Sequence, residues 1–261
     1  MIPPTSIDGT DITGATIDGT DVQEITVDGD VVFSAGLNSY DISMLSSPVY
    51  HFDAAAVTAS DGAVNVDFPE TEGNISDASG FNGVTFRENV DGFKTFEYDG
   101  VNDHHEWNTD SDAPTGNDAF TILITLSVKS IQQQVFFVYG DDSTDKSNGV
   151  SIGGSNQDYK HFFFSNDLDI ANVVVNKWVT LTVRFDGSTR EGFRNGNLQT
   201  SDSTTANVGG TLQPYIGGWA SSFGPQTVDG YIADIVLCDT AESTAAIQQY
   251  HTSRAAIGTN F

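Results

Sequence analysis

Three consecutive residues, His104, His105 and Glu106, have side chains that bind transition metals or transfer protons. They fall in a stretch whose pattern predicts a β-strand, and successive side chains of a strand point to opposite faces of a sheet. Only His104 and Glu106 can therefore lie side by side. Zinc takes three or four protein ligands, and no second pair stands out in the sequence. We predict an exposed strand edge here rather than a zinc centre.

A tight turn just before this strand is rich in oxygen ligands. Asp99, Asn102 and Asp103 lie close together in sequence, and calcium prefers such carboxylate and amide oxygens. The segment GDDSTD offers an alternative set: Asp141, Asp142 and Asp145. Alternatively, these segments are solvated acidic turns, because a chain with 28 aspartates contains clusters of carboxylates by chance.

Aromatic side chains in loops are candidates for glycan binding, since a flat ring can stack on the face of a sugar and loops carry much binding function. Trp219 and Phe223 lie in the glycine-rich segment GGWASSFGP. Trp107 and Tyr159 are weaker candidates. Alternatively, Trp219 packs inward at the end of a strand.

The elements that must position these residues are mostly strands. In FTILITLSV (120–128) and WVTLTVRFDG (178–187), apolar residues alternate with mainly Thr and Ser. Further apolar runs are separated by clusters of Gly, Asn and Asp. This pattern predicts an all-β, two-sheet antiparallel sandwich. One late segment, STAAIQQYHTSRAAIG, predicts a helix with Ser243 as N-cap and Gly258 as C-terminal cap.

The first residues form a separate, repetitive segment. Between 6 and 33 the dipeptide Asp-Gly recurs three times among β-branched residues, which predicts a small β-meander. We therefore predict two domains, 1–36 and 37–261. Three repeats so short cannot enclose a core, so the first domain must pack on the main domain or on another protein. It is predicted to be an attachment module, shared by symmetric copies in a homo-oligomer.

The charge of the chain indicates its habitat. It has 36 acidic and 10 basic side chains, a formal charge of −26. Such a charge repels itself at ordinary salt, where the Debye length is roughly 8 Å, and far less at 1 M, where it is about 3 Å. We predict a halophilic protein. A nucleic-acid partner is disfavoured because it requires clustered Lys and Arg, and no apolar run is long enough for membrane insertion.

Four segments, in order, resemble the concanavalin A-like lectin/glucanase superfamily in its laminin-G and pentraxin-like branch. They are FEYDGVNDHHEW, KWVTLTVRFDGSTREGFRNG, PYIGGW and VDGYIADIVLCDTAESTAAIQQY, and the likeness spans roughly 45–258. It implies a jelly-roll sandwich closed by one C-terminal helix, which follows the small N-terminal meander predicted from the repeats. It also implies calcium on the rim, which favours Asp99, Asn102 and Asp103.

The β-glucan-cleaving enzymes of that superfamily carry a Glu-x-Asp-x-x-Glu strand, since two carboxyl groups must flank the glycosidic bond. Here Glu97 and Asp99 match the first two positions, but Asn102 occupies the third acidic position. Without a second Glu there is no acid for the leaving group. We predict that the protein is not an enzyme.

The segment VQEITVDGDVVF resembles N-terminal modules of tailed-virus structural proteins. With the acidic composition, it predicts a virion surface protein, turret or tail fibre, of a halophilic archaeal tailed virus. Residues 1–36 would bind other virion proteins, and the lectin-like domain would bind a host-surface glycan or glycoprotein, outside the cell in high salt. The alternatives are a capsid decoration protein without an external ligand and a secreted halophilic carbohydrate-active protein.

Overall fold

The computed structural model describes residues 40–107, 112–141, 143–153, 157–209, 215–218, 220–221 and 224–261, together with the strand residues between 6 and 34. The chain divides into two compact units, 1–38 and 39–261. Each is described by itself.

The N-terminal unit consists of short antiparallel strand pairs. Its strands are β1 Ser6–Ile7, β2 Thr10–Asp11, β3 Thr16–Ile17, β4 Thr20–Asp21, β5 Glu24–Val27 and β6 Asp30–Ser34. Consecutive strands pair as β1 with β2, β3 with β4 and β5 with β6, each pair flanking one Asp-Gly dipeptide. Among the described residues these are three separate hairpins, where the sequence predicted one meander. Most strands have only two residues, too few to support a neighbour on both edges.

The main unit contains two large antiparallel sheets. Its elements are β7 Pro48–Asp53, a 3-10 turn Ala54–Ala56, β8 Ser79–Phe81, β9 Thr85–Val90, β10 Phe93–Asp99, β11 His104–Glu106, β12 Phe120–Val128, β13 Gln134–Gly140, β14 Ser147–Gly153, β15 Asp158–Phe162, β16 Asp167–Asn172, β17 Trp178–Phe185, β18 Thr189–Arg194, β19 Asn197–Ser203, β20 Tyr215–Ile216, β21 Ala220–Ser221, β22 Gly224–Pro225, β23 Asp229–Cys238 and α1 Thr244–Ala255.

The eight-stranded sheet has the order β19-β18-β17-β12-β23-β10-β9, and β7 also pairs with β23. The seven-stranded sheet has the order β16-β15-β14-β13-β20-β11-β8. Strand β23 holds β10 through its first half and β7 through its second half, along the same edge. These long-range pairings set the positions of β7 and β10 in the eight-stranded sheet.

The core lies between the two sheets. Along β12 the residues Phe120, Ile122, Ile124 and Leu126 all join one continuous buried cluster with side chains of the other sheet. The alternation read from the sequence thus faces the core as predicted, and the two-sheet sandwich is confirmed.

The opposite face of the eight-stranded sheet is covered by the helix. Leu123 of β12 packs with Ala246 and Tyr250 of α1, and Cys238 is buried in the same cluster. The Ser243 side chain accepts a hydrogen bond from the Ala246 N–H, as predicted for the N-cap. Among the described residues, none of the helices has the length and hydropathy needed to cross a bilayer.

The predicted role of Gly258 is wrong. The C-cap is Ala256, and Gly258 does not adopt the left-handed conformation of a glycine cap. A Cβ at Gly258 would lie 2.2 Å from Cε2 of Phe93. Glycine is therefore required there so that the Phe93 ring can pack against the end of the chain.

A buried ion pair fastens the helix to the sheet. The Arg254 guanidinium donates to one carboxylate oxygen of Asp234 from Nη2 at 2.6 Å and from Nε at 3.0 Å. Tyr250 donates to the other oxygen at 3.1 Å. Both charged side chains are fully buried. Because neither charge can reach water, each depends on the other.

Candidate functional site

The short strand β11 divides its side chains between the core and the outer face of the seven-stranded sheet. His105 is fully buried, whereas 50% of the Glu106 side chain and 19% of the His104 side chain are exposed. His104 pairs in register with Phe81 of β8, and Glu106 pairs with Tyr215 of β20. The predicted alternation is confirmed, and it brings rings from three distant parts of the sequence onto one face.

The inward residue, His105, anchors this strand. Its Nε2 lies 3.0 Å from the carbonyl oxygen of Val66 and donates to it, so Nδ1 accepts from the Tyr98 hydroxyl at 2.9 Å. Burial lowers the pKa of His105 to about 3. A neutral imidazole with both nitrogens engaged is a structural group, so β11 is held rigidly beneath its outward side chains.

The outward rings form a contiguous patch, which we call the aromatic platform: Phe81, His104 and Tyr215. The Phe81 and His104 rings stack with centroids 5.3 Å apart and planes 17° apart. The Tyr215 ring meets His104 edge-on at 5.7 Å. Phe81 is 39% exposed although it is large and apolar. An exposed ring on an edge strand leaves a flat apolar surface available to a ligand.

Polar side chains border the platform. The Asn82 amide donates to the Asn102 carbonyl at 3.1 Å, and His104 Nδ1 donates to the same oxygen at 2.9 Å. On the other side, His104 Nε2 lies 3.2 Å from Glu106 Oε1. A flat ring flanked by amide and carboxylate groups can combine stacking with directional hydrogen bonds.

The pair of His104 and Glu106 is not joined by further metal ligands. Within the described parts of the chain, no three His, Cys, Asp or Glu side chains form a group that could hold a metal ion. The choice of a strand edge over a zinc centre stays a prediction.

The candidate calcium turn is partly occupied by its own hydrogen bonds. Asp103 Oδ2 accepts from the Asp99 N–H at 3.0 Å, and Asp99 Oδ1 accepts from the Val101 N–H at 2.8 Å. Asp103 is 2% exposed, and its Oδ1 has no hydrogen-bond partner. Burial, reinforced by the Asp99 carboxylate, raises the pKa of Asp103 to about 6.

This geometry fits a cation in one respect, because an orphaned carboxylate oxygen is the kind of ligand calcium takes. Asp99 and Asn102 are exposed and add side-chain oxygens only from the surface. Calcium at this turn stays a prediction. In the alternative set, Asp142 lies outside the described residues, and Asp145 Oδ1 accepts from the Asn166 amide at 3.2 Å.

The four residues predicted from the sequence to bind a sugar do not form an exposed site among the described residues. Trp219 and Phe223 lie outside the described residues. Trp107 is 4% exposed and Tyr159 is fully buried, so neither presents a ring to solvent. Trp107 instead stacks on Phe137, with centroids 5.7 Å apart. Both rings belong to the core, which corrects their assignment as surface residues.

Glu97, which matches the first position of the glucanase motif, is engaged in two ion pairs on the eight-stranded sheet. Glu97 lies 2.6 Å from Arg87 Nε and 2.5 Å from Lys129 Nζ. Burial alone would raise the pKa of Glu97, but the hydrogen bonds from Lys129 and Arg87 outweigh it and lower the pKa. A general acid needs a raised pKa. Glu97 is therefore a poor proton donor.

Comparison with solved structures identifies the fold. Domain 4 of the arabinanase AbnA from Geobacillus stearothermophilus, in complex with arabinotriose, matches with a TM-score of 0.60 at 11% identity, over 79% of this chain and 99% of that one. Trypanosoma rangeli sialidase in complex with sialic acid matches with a TM-score of 0.57 at 16% identity, over 92% of this chain and 37% of that one. The botulinum neurotoxin serotype D binding domain matches with a TM-score of 0.53 at 12% identity, over 80% of this chain and 52% of that one.

The main unit is thus a β-sandwich of the jelly-roll type found in domains of glycosidases, a sialidase and a toxin. The chain spans about a third of the sialidase and half of the toxin structure. No family model and no curated protein matches the sequence. The predicted jelly-roll fold is confirmed, and the viral context has no support among these structures.

Proposed function

We propose that the main unit is a non-enzymatic carbohydrate-binding domain whose site is the aromatic platform on the outer face of the seven-stranded sheet. The observation that carries this proposal is the exposed Phe81 ring, stacked on His104 and bordered by the Asn82 amide, the Asn102 backbone carbonyl and the Glu106 carboxylate. A sugar has an apolar face of C–H groups and an equatorial rim of hydroxyls. The ring and its polar border match those two surfaces.

The fold comparisons support the same class of ligand. Two of the matched structures hold a sugar, arabinotriose in one and sialic acid in the other. The likeness at 11% and 16% identity concerns the fold alone, so the ligand and its position come from the side chains of this chain.

The absence of catalysis is also part of the proposal. A glycoside hydrolase needs one carboxyl group that donates a proton and a second that attacks or activates water. Glu97 is held ionised by two cations, and Glu106 is paired with His104. Because its pKa is lowered, Glu97 has no proton to give to a leaving group, which favours binding without cleavage.

We further propose that this domain is displayed on the surface of a tailed virus of a halophilic archaeon, outside the cell in high salt. Support comes from the charge of −26 and from the resemblance of the segment VQEITVDGDVVF to virion attachment modules. The three hairpins of the N-terminal unit are small enough to need a partner surface. They would bind other virion proteins in a symmetric oligomer, as a turret or tail fibre.

A glycan array tests the binding function. The full chain and its Phe81→Ala variant would be applied in molar potassium chloride. We expect binding by the wild type and a loss of at least about tenfold in the variant, which corresponds to about 1.4 kcal/mol of binding free energy. Leu198→Ala is the matched control, because Leu198 is 51% exposed on the edge of the other sheet. Equal binding by both variants would refute the platform as the site.

Deletion of residues 1–36 tests the attachment proposal. We expect the shortened chain to keep its glycan binding but to be absent from purified particles. A glycan-binding chain that is never found on a particle would refute the virion location and leave the binding proposal intact. A particle-bound chain that binds no glycan or host cell would instead indicate a decoration protein.

A further inference from the structure

We infer that the aromatic platform accepts neutral glycans and rejects glycans that carry a carboxylate, such as sialylated or uronic-acid chains. The inference rests on the proposed function and adds the class of ligand. It comes from the distribution of cations in the chain. A sugar carboxylate needs a cation or several donors to replace its water. The platform contains no Lys or Arg, and the ring nitrogens of its histidine, His104, already face the Asn102 carbonyl and the Glu106 carboxylate.

Most of the ten Lys and Arg side chains are already committed elsewhere. Six of them form ion pairs: Arg87 and Lys129 with Glu97, Lys160 with Asp167 and Asp169, Arg184 with Glu191, Arg190 with Asp202, and Arg254 with Asp234. Three others donate to neutral oxygens: Lys94 to Val57, Lys177 to Asn260 and Arg194 to Asn172. The tenth, Lys146, lies in the turn between β13 and β14.

The register of the seven-stranded sheet shows which cation shares the platform's face. Tyr215 pairs with Val138, Val138 with Gly149, and Gly149 with Phe162. Lys160 precedes Phe162 by two residues and therefore points to the same side. It stands three strands from Tyr215, or about 14 Å at the usual strand spacing.

Lys160 is nevertheless unavailable to a ligand. Its Nζ lies 3.2 Å from Asp167 Oδ2 and 2.9 Å from Asp169 Oδ1, and only 11% of its side chain is exposed. Two carboxylates around one ammonium leave this end of the face with a net negative charge. An acidic sugar would have to displace one of them.

The border of the platform is negative as well. Glu106 is half-exposed beside His104, and the Asp99 and Asp103 carboxylates lie in the adjoining turn. A carboxylate can accept hydrogen bonds from sugar hydroxyls but repels an anion. Asn82 adds a side-chain amide, which can both donate to and accept from a sugar hydroxyl. The chemistry of the border therefore selects uncharged hydroxyl-rich ligands.

Matched glycan pairs on an array test the inference. Each neutral oligosaccharide would be spotted beside the same chain with a terminal sialic or uronic acid, and the full-length protein applied at the lowest salt at which circular dichroism shows it folded. We expect the acidic member of a pair to bind at least about tenfold more weakly than the neutral member. Glu106→Gln should narrow that ratio to about threefold or less, because it removes the nearest negative charge.

Glu88→Gln serves as the control for charge, since Glu88 lies exposed on β9 of the other sheet. It should leave the ratio unchanged. Suppose that the acidic members bind as tightly as the neutral ones or more tightly, and that Phe81→Ala abolishes this binding. That result would overturn the selection against charged glycans but leave the carbohydrate-binding proposal intact. Failure of every pair to bind, or binding indifferent to Phe81→Ala, would overturn both.

Discussion

Replacing Asp234 with Asn should strongly destabilise the main unit. The substitution keeps the size of the side chain but leaves the Arg254 guanidinium buried without a counter-charge. Neither side chain of the pair is exposed, and removal of one partner of such a pair costs about 3–5 kcal/mol. We expect a loss of that size in the free energy of unfolding at neutral pH.

The pKa of Asp234 gives a second, independent magnitude. Burial would raise that pKa, but the Arg254 charge and then His51 outweigh it and hold the pKa at about 2, against 3.8 for a free side chain. At about 1.4 kcal/mol per pKa unit, the difference corresponds to about 2 kcal/mol. Because its pKa is lowered in the folded protein, the ionised Asp234 carboxylate stabilises the fold above pH 4. This contribution is lost as the pH falls from 4 to 2.

Urea denaturation in molar potassium chloride, followed by circular dichroism from neutral pH to pH 2, measures both effects. Wild type should lose the Asp234 contribution across that acid range, and Asp234→Asn should lack this part of the loss. Asp234→Asn combined with Arg254→Met should recover much of the stability, since it removes the stranded charge. An Asp234→Asn variant within about 1 kcal/mol of wild type at neutral pH would refute the reasoning.

Other substitutions test further parts of the structure. Glu70→Ala should cost about 2–4 kcal/mol in urea denaturation, because the Glu70 carboxylate accepts hydrogen bonds from four backbone N–H groups; a change below about 1 kcal/mol would contradict this. Asp103→Asn should stabilise the calcium-free protein at pH 7. It should also remove the increase in the free energy of unfolding that wild type shows as the pH falls from 6 to 4. If calcium binds there, melting temperatures with calcium and with chelator would differ only in wild type, and no difference in wild type would count against the site. Gly217→Ala should destabilise the fold by about 2 kcal/mol or more, since Gly217 has φ +77° and its Cβ would lie 2.0 Å from the Tyr98 ring; an unchanged melting temperature would show that the strand relaxes freely. Finally, the melting temperature should rise from low to molar salt because of the charge of −26, and a flat salt dependence would argue against halophilic adaptation.

The sandwich was predictable because its signals are local. Period two along β12 assigned Ile122 and Ile124 to the core, and both are fully buried. The cover on the opposite face was not predictable, because Leu123 and Thr125 also become buried beneath a helix that lies more than a hundred residues away in sequence. Alternation describes one strand and carries no information about what packs over it.

The aromatic platform was missed for the same reason. His104 was expected to point outward, but its neighbours Phe81 and Tyr215 come from strands of three and two residues. Strands that short have no detectable periodicity, and only the finished sheet places them beside β11. Trp107 was misassigned because an aromatic at the end of a polar strand looks exposed in sequence, although the Tyr50 and Phe52 rings enclose it.

The most direct test of the binding site is a crystal structure of the full chain with the neutral oligosaccharide that binds best on the array. We predict a sugar ring lying on Phe81, with its hydroxyl groups hydrogen-bonded to the Glu106 and Asn82 side chains. A sugar bound elsewhere, such as on Trp219, Phe223 or the Asp99 turn, with the Phe81 ring uncovered, would contradict the assignment.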